Sequence, residues 1–244
     1  MNWGKQQTGQ DKEMIKKISR FYDEYHQKRD RKPPPWMKKY WSQFRGGVLE
    51  IGAGTLVPDN DTSVFHYLVV EISPTAAKIL RSKGLQSIVA SGEDLPFSKN
   101  TFDVVACHDV LEHTPSPDKF IAEMCRVSRG KIVILGPNYS GEESPTKRKN
   151  TNLVYRTLDI IRGKHKRAIC FTDPYFTYDE GWESDLDAVT GVNLWWVEKE
   201  IEKNGFEIAA ATTFIGEGIS GKILREIPFV KYAGSMMFIV GQKK

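Results

Sequence analysis

The 244-residue chain is poor in features that would assign it to a class at once. Its three cysteines, Cys107, Cys125 and Cys170, are odd in number and widely separated. They lack CxxC or HxxxH spacing, so they suggest neither a disulfide framework nor a zinc site. Reduced thiols of this kind suit a cytoplasmic protein. No apolar run approaches the ~18 residues of a membrane span, and the polar start reads as lacking the apolar region of a signal peptide. Internal repeats and low-complexity tracts are missing as well. Nor does one sign of charge dominate: 35 Lys+Arg against 31 Asp+Glu leave +4, too mild by itself to specify a nucleic-acid partner. What remains is a globular composition, 40% hydrophobic and 27% charged. At roughly 150 residues per domain the length suits one large domain, or one domain carrying an insert.

The charge is uneven along the chain. Residues 1–46 hold 12 Lys/Arg against 5 Asp/Glu. Within them Met14, Ile15, Ile18, Phe21, Tyr22 and Tyr25 recur near the 3.6-residue period, which predicts a helix over Asp11–Arg29. Pro33-Pro34-Pro35 ends it and leads into a second short helix around Trp36–Phe44. Short apolar runs follow at Val48–Ile51, Tyr67–Ile72, Ser87–Ala90, Val104–Cys107 and Ile132–Leu135. Helical stretches lie between several of them, at Pro74–Ser82 and Pro117–Val127. Continuous apolar strands alternating with helices predict an α/β fold, a mostly parallel sheet covered on both faces. After Pro137 the alternation stops for nearly sixty residues, in two halves of opposite sign. Lys147–Arg167 has eight Lys/Arg and one acid, whereas Asp173–Asp187 has six acids and no Lys/Arg. A helix at Trp195–Asn204, stopped by Gly205, then precedes two strands, Phe206–Ile215 and Ser235–Gly241, predicted to pair antiparallel at a sheet edge.

Two patterns carry chemistry. Val48–Gly54 (VLEIGAG) is a buried strand running into a glycine turn, where Gly52, Ala53 and Gly54 let a ligand approach the backbone at the strand's carboxyl end. A tight strand–helix turn explains the same glycines equally well. Glu71 ends the next strand nineteen residues beyond Gly52, a spacing that places an acid to accept hydrogen bonds from ribose hydroxyls. Turn plus acid indicates an adenosine-containing cofactor. Val57 stands where a full GxGxxG dinucleotide fingerprint has its last glycine.

The ordered set Ser91–Phe97 (SGEDLPF), Asn100–Val105 (NTFDVV) and Val110–His113 (VLEH) resembles class I S-adenosylmethionine-dependent methyltransferases, and most of all the methyltransferase type 11, ubiquinone/menaquinone-type branch. Glu123, Arg126-Val127 and Gly136-Pro137-Asn138 extend the likeness, as does Phe21–Tyr25, which resembles the family's cofactor-covering helix. The resemblance implies a Rossmann-like, doubly wound, seven-stranded mixed sheet with an antiparallel C-terminal strand. It implies S-adenosylmethionine as cofactor and no metal. It would set the Gly52–Gly54 backbone against the methionine portion, with Glu50 orienting the amino group. Glu71 would hold the ribose, and Gly92 and Glu93 backbone groups the adenine edge. Leu95 or Ile72 would pack on the adenine face, Tyr22 would cover the cofactor, and the His108 carbonyl would meet the cofactor's amino group. The family commonly has Asp where Ser91 stands, which leaves Glu93 or Asp94 to compensate. Pro58, Asp59, Asn60 and Asp61 interrupt the family's long first helix.

His108, Asp109 and His113, clustered after the fourth strand, are the candidates for a catalytic base, since histidine titrates near neutrality. Bracing of the turn is the competing role for His113 and its neighbour Glu112. Cys107, and the stripe Leu194, Trp195, Val197 and Ile201, read as core. The expected organisation is one domain: a helical cap over 1–46, a cofactor-binding core over 47–137, a substrate-lid insert over 138–193, and 194–244 completing the sheet. The expected reaction is methylation of O or N on a small molecule or glycan precursor. Methylation of RNA or protein docked on the basic segments is a second reading, although no RNA-binding module is recognisable. A non-catalytic cofactor-binding protein is a third. The basic half of the insert reads either as an amphipathic segment meeting a membrane surface or anionic substrate, or as a helix packed on the domain. The acidic half, with Tyr175, Phe176, Tyr178 and Trp182, suits a polyhydroxyl or amine ligand, or an anchored loop.

Overall fold

The structure, a computed structural model, describes residues 8–29, 32–33, 37–41, 44–58, 65–139, 157–158, 160–163, 168–170, 187–214, 232 and 234–244. A long helix α1 (Thr8–Lys28) and a short α2 (Met37–Trp41) precede β1 (Gly46–Ile51). Then come β2 (Phe65–Glu71), α3 (Pro74–Ser82), β3 (Gln86–Val89) and β4 (Phe102–His108). A 3-10 turn at Leu111–His113, α4 (Pro117–Val127) and β5 (Ser128–Pro137) follow. After a small pair, β6 (Ile169–Cys170) with β7 (Thr190–Gly191), the chain ends in α5 (Leu194–Lys203), β8 (Phe206–Phe214) and β9 (Met236–Lys243). The β6–β7 pair is not among the strands expected from the sequence: Ile169-Cys170 and Val189-Thr190 favour a strand, but each run is too short to mark one.

Seven strands form one sheet in the order β3-β2-β1-β4-β5-β9-β8. β1 to β5 are parallel, and β9 runs antiparallel between β5 and β8. This is the Rossmann-like, doubly wound, seven-stranded mixed sheet that the resemblance implies. Alternate side chains build two cores, because successive residues of a strand point to opposite faces. Leu49, Ile51, Val105, Cys107, Ile132 and Ile134 face Ile121 and Met124 of α4 and Leu194, Val197 and Ile201 of α5. Val48, Val69, Val104, Ala106 and Val133 face Met37, Trp41 and Leu80. Cys107 and the α5 stripe are thus core, with Trp195 half-buried.

Local signals fix the helix ends. Ser73 caps α3 by accepting from the Ala76 amide at 3.0 Å, and Pro74 opens it. Asn193 caps α5 through the Trp196 amide at 3.0 Å. At the amino end of the sheet Asp103 accepts from Arg129 Nε and Nη2, both at 2.7 Å, and from the Gly47 amide at 2.8 Å. Arg129 holds the Asp103 carboxyl down at about 2. Gly46 permits that approach: it has φ 76°, and a Cβ there would lie 2.3 Å from Asp103 Oδ2.

Gly84, which follows α3 at φ 86°, would place a Cβ in open space, with nothing within 4 Å. Gly84→Ala should therefore lose only the backbone contribution, about 1 kcal/mol. Gly46→Ala adds a steric clash and should lose at least about 2 kcal/mol. Urea unfolding of the two variants checks the order; equal losses would mean that the Asp103 contact does not constrain β1.

Candidate active site

Strand order reverses between β1 and β4, and a ligand crevice opens at the carboxyl ends of strands where such a reversal occurs. A cavity of about 410 Å³ lies there, within the range of small-ligand sites. Its floor is the β1 turn, Gly52, Ala53 and Gly54, with Glu50 behind it. Glu71 and Ile72 end β2, Ala90–Glu93 follow β3, and His108, Asp109, Glu112 and His113 follow β4. Ile15, Ile18, Tyr22, Tyr25 and His26 of α1 form the roof, and Asp187 enters from the far end of the insert.

The cavity thus gathers Tyr22, Glu50, Gly52, Ala53, Gly54, Glu71, Ile72, Gly92, Glu93 and His108, together with Asp109 and His113. Two expected members lie elsewhere. Leu95 is core, 3% exposed, so Ile72 is left as the candidate for the adenine face. Asp94 is exposed outside the cavity wall, so it is not placed to replace the acid missing at Ser91. The reason is tertiary. Glu123 accepts from the Leu95 amide at 2.8 Å, and Arg126 donates to the carbonyls of Phe97 at 2.6 Å and Leu95 at 3.0 Å. With Arg126 also paired to Glu123 at 2.6 Å, α4 pulls this loop down onto itself. Glu93 is occupied too: its carboxylate accepts from the Thr114 hydroxyl and the Ser116 amide, and its amide donates to Ser91 Oγ. Residues 52–58 form a turn and loop in place of a long first helix, while 59–64 are not among the described residues.

The buried acids are held by neutral donors. Glu50 Oε2 accepts from Tyr67 and from Trp41 Nε1, and burial outweighs these bonds to raise its pKa. Glu71 Oε1 accepts from the Gly54 amide at 2.8 Å and Oε2 from the Ser73 amide at 3.3 Å. Burial dominates there as well and pushes the Glu71 carboxyl up to about 7. His108 Nε2 lies 3.1 Å from Asp109 Oδ2, and Asp109 takes a left-handed backbone, φ 50°, uncommon for a non-glycine residue. His113 lies between Asp187 and Glu112, at 3.4 and 3.5 Å. Burial favours its neutral ring, but the two carboxylates outweigh burial and raise its pKa.

Asp187 and His26 are not marked as site residues in the sequence, and Tyr25 is marked only as part of the Phe21–Tyr25 likeness. Asp187 was one of six acids in a charged run, with nothing to single it out. Tyr25 and His26 sit three and four residues beyond Tyr22, which places them on one helix face, and that spacing could have found them. Of the insert's other residues, Ile160 is buried while Leu158 and Ile161 are exposed. The aromatic stretch 175–182 and most of 147–167 lie outside the described residues.

Residues 49–134 match the family model of a methyltransferase domain. An uncharacterized protein of Methanocaldococcus jannaschii is 40% identical over 102 residues, 41% of this chain and 47% of that protein. An uncharacterized methyltransferase of Mycolicibacterium gilvum is 34% identical over 98 residues, 36% of this chain and 37% of that protein. The matches thus span less than half the length of these curated relatives. A chain from the complex between the Haloferax volcanii Trm112 methyltransferase activator and a methyltransferase shares the fold. It has TM-score 0.54 at 14% identity, covering 94% of this chain and 97% of that one. Residues 49–134 thus match a methyltransferase domain on a fold shared with that structure, and the cofactor such a domain implies is S-adenosylmethionine.

The residues present fit that cofactor. Gly54 leaves room where a Cβ would come within 3.2 Å of the roof residue His26, and Gly52 where a Cβ would strike Val110 at 2.4 Å. Glu71 turns a buried carboxylate to the cavity where a ribose would lie. Six carboxylates and no lysine or arginine line the cavity among the described residues, a wall suited to a sulfonium cation. Glu71→Ala should weaken cofactor affinity about 10–100-fold by calorimetry, the value of a charged hydrogen-bonding partner; unchanged affinity would displace the site. Ribose hydroxyls donate to the ionised form, so affinity should rise as pH passes upward through about 7, and Glu71→Gln should flatten that rise.

Proposed function

We propose that the protein catalyses methyl transfer from S-adenosylmethionine to an oxygen or nitrogen of a small molecule or glycan precursor. The observation that supports this most is the His108–Asp109 pair, 3.1 Å apart, on the wall of a roofed cavity that also holds the glycine turn and Glu71. The cofactor supplies an activated methyl group and its own leaving group. The protein's part is to hold an acceptor in line and to receive its proton. Positioning of two reactants can contribute roughly 7–11 kcal/mol. The roof of α1 and the wall at Asp187 limit the acceptor's size, which favours a small molecule. At the end of β4, in register with Leu135 of β5, His108 has a fixed backbone. Asp109 orients its ring and stabilises the charge it gains on accepting a proton.

His108→Ala should lower turnover about 10²–10⁴-fold, the range for a general base, while cofactor affinity stays within a few-fold. Transfer of a labelled methyl group into lysate small molecules provides the assay. Retention of more than half the turnover would remove His108 from the mechanism. No labelled product under any condition would favour a cofactor-binding protein without catalysis.

One observation favours the RNA or protein reading. Lys12, Lys16, Lys17 and Arg20 are exposed along α1, and none makes an ion pair among the described residues. Like charges four residues apart oppose helix formation unless a partner neutralises them. If α1 docks an RNA, binding should fall steeply between low and physiological salt, and fall further when these four residues are replaced by Gln. Salt-independent or undetectable RNA binding would leave the small-molecule reading standing.

A further inference from the structure

His113 is set in a charge arrangement unlike that of His108. The His113 ring is bracketed, with Nδ1 3.4 Å from both the Asp187 carbonyl oxygen and Asp187 Oδ2, and Nε2 3.5 Å from Glu112 Oε1. A neutral imidazole carries one N–H, so it would turn a lone pair toward one of the two carboxylates. Only the imidazolium donates on both sides. The bracket is well shielded from water: the side chains of His113, Glu112 and Asp187 are 14%, 2% and 9% exposed.

The same carboxylate reaches the roof. Tyr22 of α1 donates its hydroxyl to Asp187 Oδ2 at 2.5 Å, and its ring meets the His113 ring edge-on at 5.5 Å between centroids. Burial and the Asp187 charge raise the Tyr22 pKa well above its usual value, so the hydroxyl stays a donor. Backbone bonds run alongside: the Val189 amide donates to the Glu112 carbonyl at 2.8 Å, and the Thr190 hydroxyl to the Thr114 carbonyl at 2.9 Å. The sequence Tyr22–Asp187–His113–Glu112 therefore joins the N-terminal helix, the end of the insert and the turn after β4, across the top of one cavity.

We propose that His113 is a fixed imidazolium that latches the roof of the cavity through Asp187 and Glu112, a positioning residue and not the proton acceptor. This inference deepens the methyltransferase reading by dividing the two histidines between two tasks. His113 commits both of its N–H groups to carboxylates, and His108 keeps the role of base. The latch has a direction in pH. The groups facing the ring are Tyr22 from α1, Asp187 ahead of β7, and Glu112 and Asp109 from its own loop. The ring's pKa is raised in the folded state. The latch is therefore fully formed below the ordinary histidine value and is lost as pH rises through the raised one.

The test needs no turnover. Ring nitrogen NMR signals of His113, followed from pH 5.5 to 9 in the full chain without cofactor, should show both nitrogens protonated at neutral pH. Deprotonation should come above the ordinary histidine value and move down in Asp187→Asn and again in Glu112→Gln. Circular dichroism melts establish that each variant is folded. If Asp187→Asn does not fold, Tyr22→Phe, which leaves both carboxylates in place, should keep the His113 titration high while weakening cofactor affinity several-fold. A ring carrying a single N–H at neutral pH, or a titration that both carboxylate variants leave unmoved, overturns the latch. Because this readout involves no methyl transfer, a failure to find an acceptor would not touch it. A failed titration would equally leave the reading of His108 intact.

Discussion

The reversal of strand order between β1 and β4 is the constraint from which the site follows. The chain lays β2 and β3 outward on one side and β5 on the other, so the connections leaving β1 and β4 diverge and leave a gap that α1 roofs. The glycine turn, the ribose acid and the candidate base stand within a few residues of a strand's carboxyl end: Gly52 and Gly54 after β1, Glu71 closing β2, His108 closing β4. A strand end anchored in the ladder fixes its backbone, and these side chains therefore start from rigid positions. The sheet also fixes where the insert departs and returns. Asn138, just beyond β5, donates to the carbonyls of Tyr232 at 2.9 Å and Gly234 at 2.6 Å, and accepts from the Leu194 amide at 2.8 Å. The start of α5 and the approach to β9 are thereby tied to the point where the insert leaves the sheet.

Collecting six carboxylates around one cavity without a lysine or arginine carries an electrostatic cost. The structure meets it with neutral donors: indole and phenol hydrogens for Glu50, backbone amides for Glu71, a hydroxyl and an amide for Glu93. Neutral donors compensate incompletely, as the raised values of Glu50, Glu71 and Glu93 show. A cationic ligand would relieve that residual cost. Asp187 accepts from the Tyr22 hydroxyl, and between Asp187 and Glu112 stands a histidine, which can itself carry charge.

The features legible in the sequence were those encoded over short distances. Val48–Gly54 had to be a buried strand entering a tight turn, and the nineteen-residue step to Glu71 is the length of one connection plus one strand. The apolar runs of β4 and β5 are equally local. Leu95 shows where such reading stops. Ser91–Phe97 could be recognised as a loop of the right kind, but which of its side chains face the cavity is decided by Glu123 and Arg126, some thirty residues away. Those two residues were visible as part of the resemblance; their task, gripping the loop's backbone, was not.

Asp187 carries the same lesson further. It lies 165 residues from Tyr22 and 74 from His113, and no periodicity or spacing connects the three. The insert looks from the sequence like an accessory that chooses the acceptor, separable from the cofactor core. Its last residues are instead built into the core: Val192 is fully buried beside the α4 and α5 contacts, Val189 and Thr190 bond the turn after β4, and Asp187 completes the cavity wall. A change in the insert's return path therefore reaches the roof helix through Tyr22 and the His113 ring in a single step.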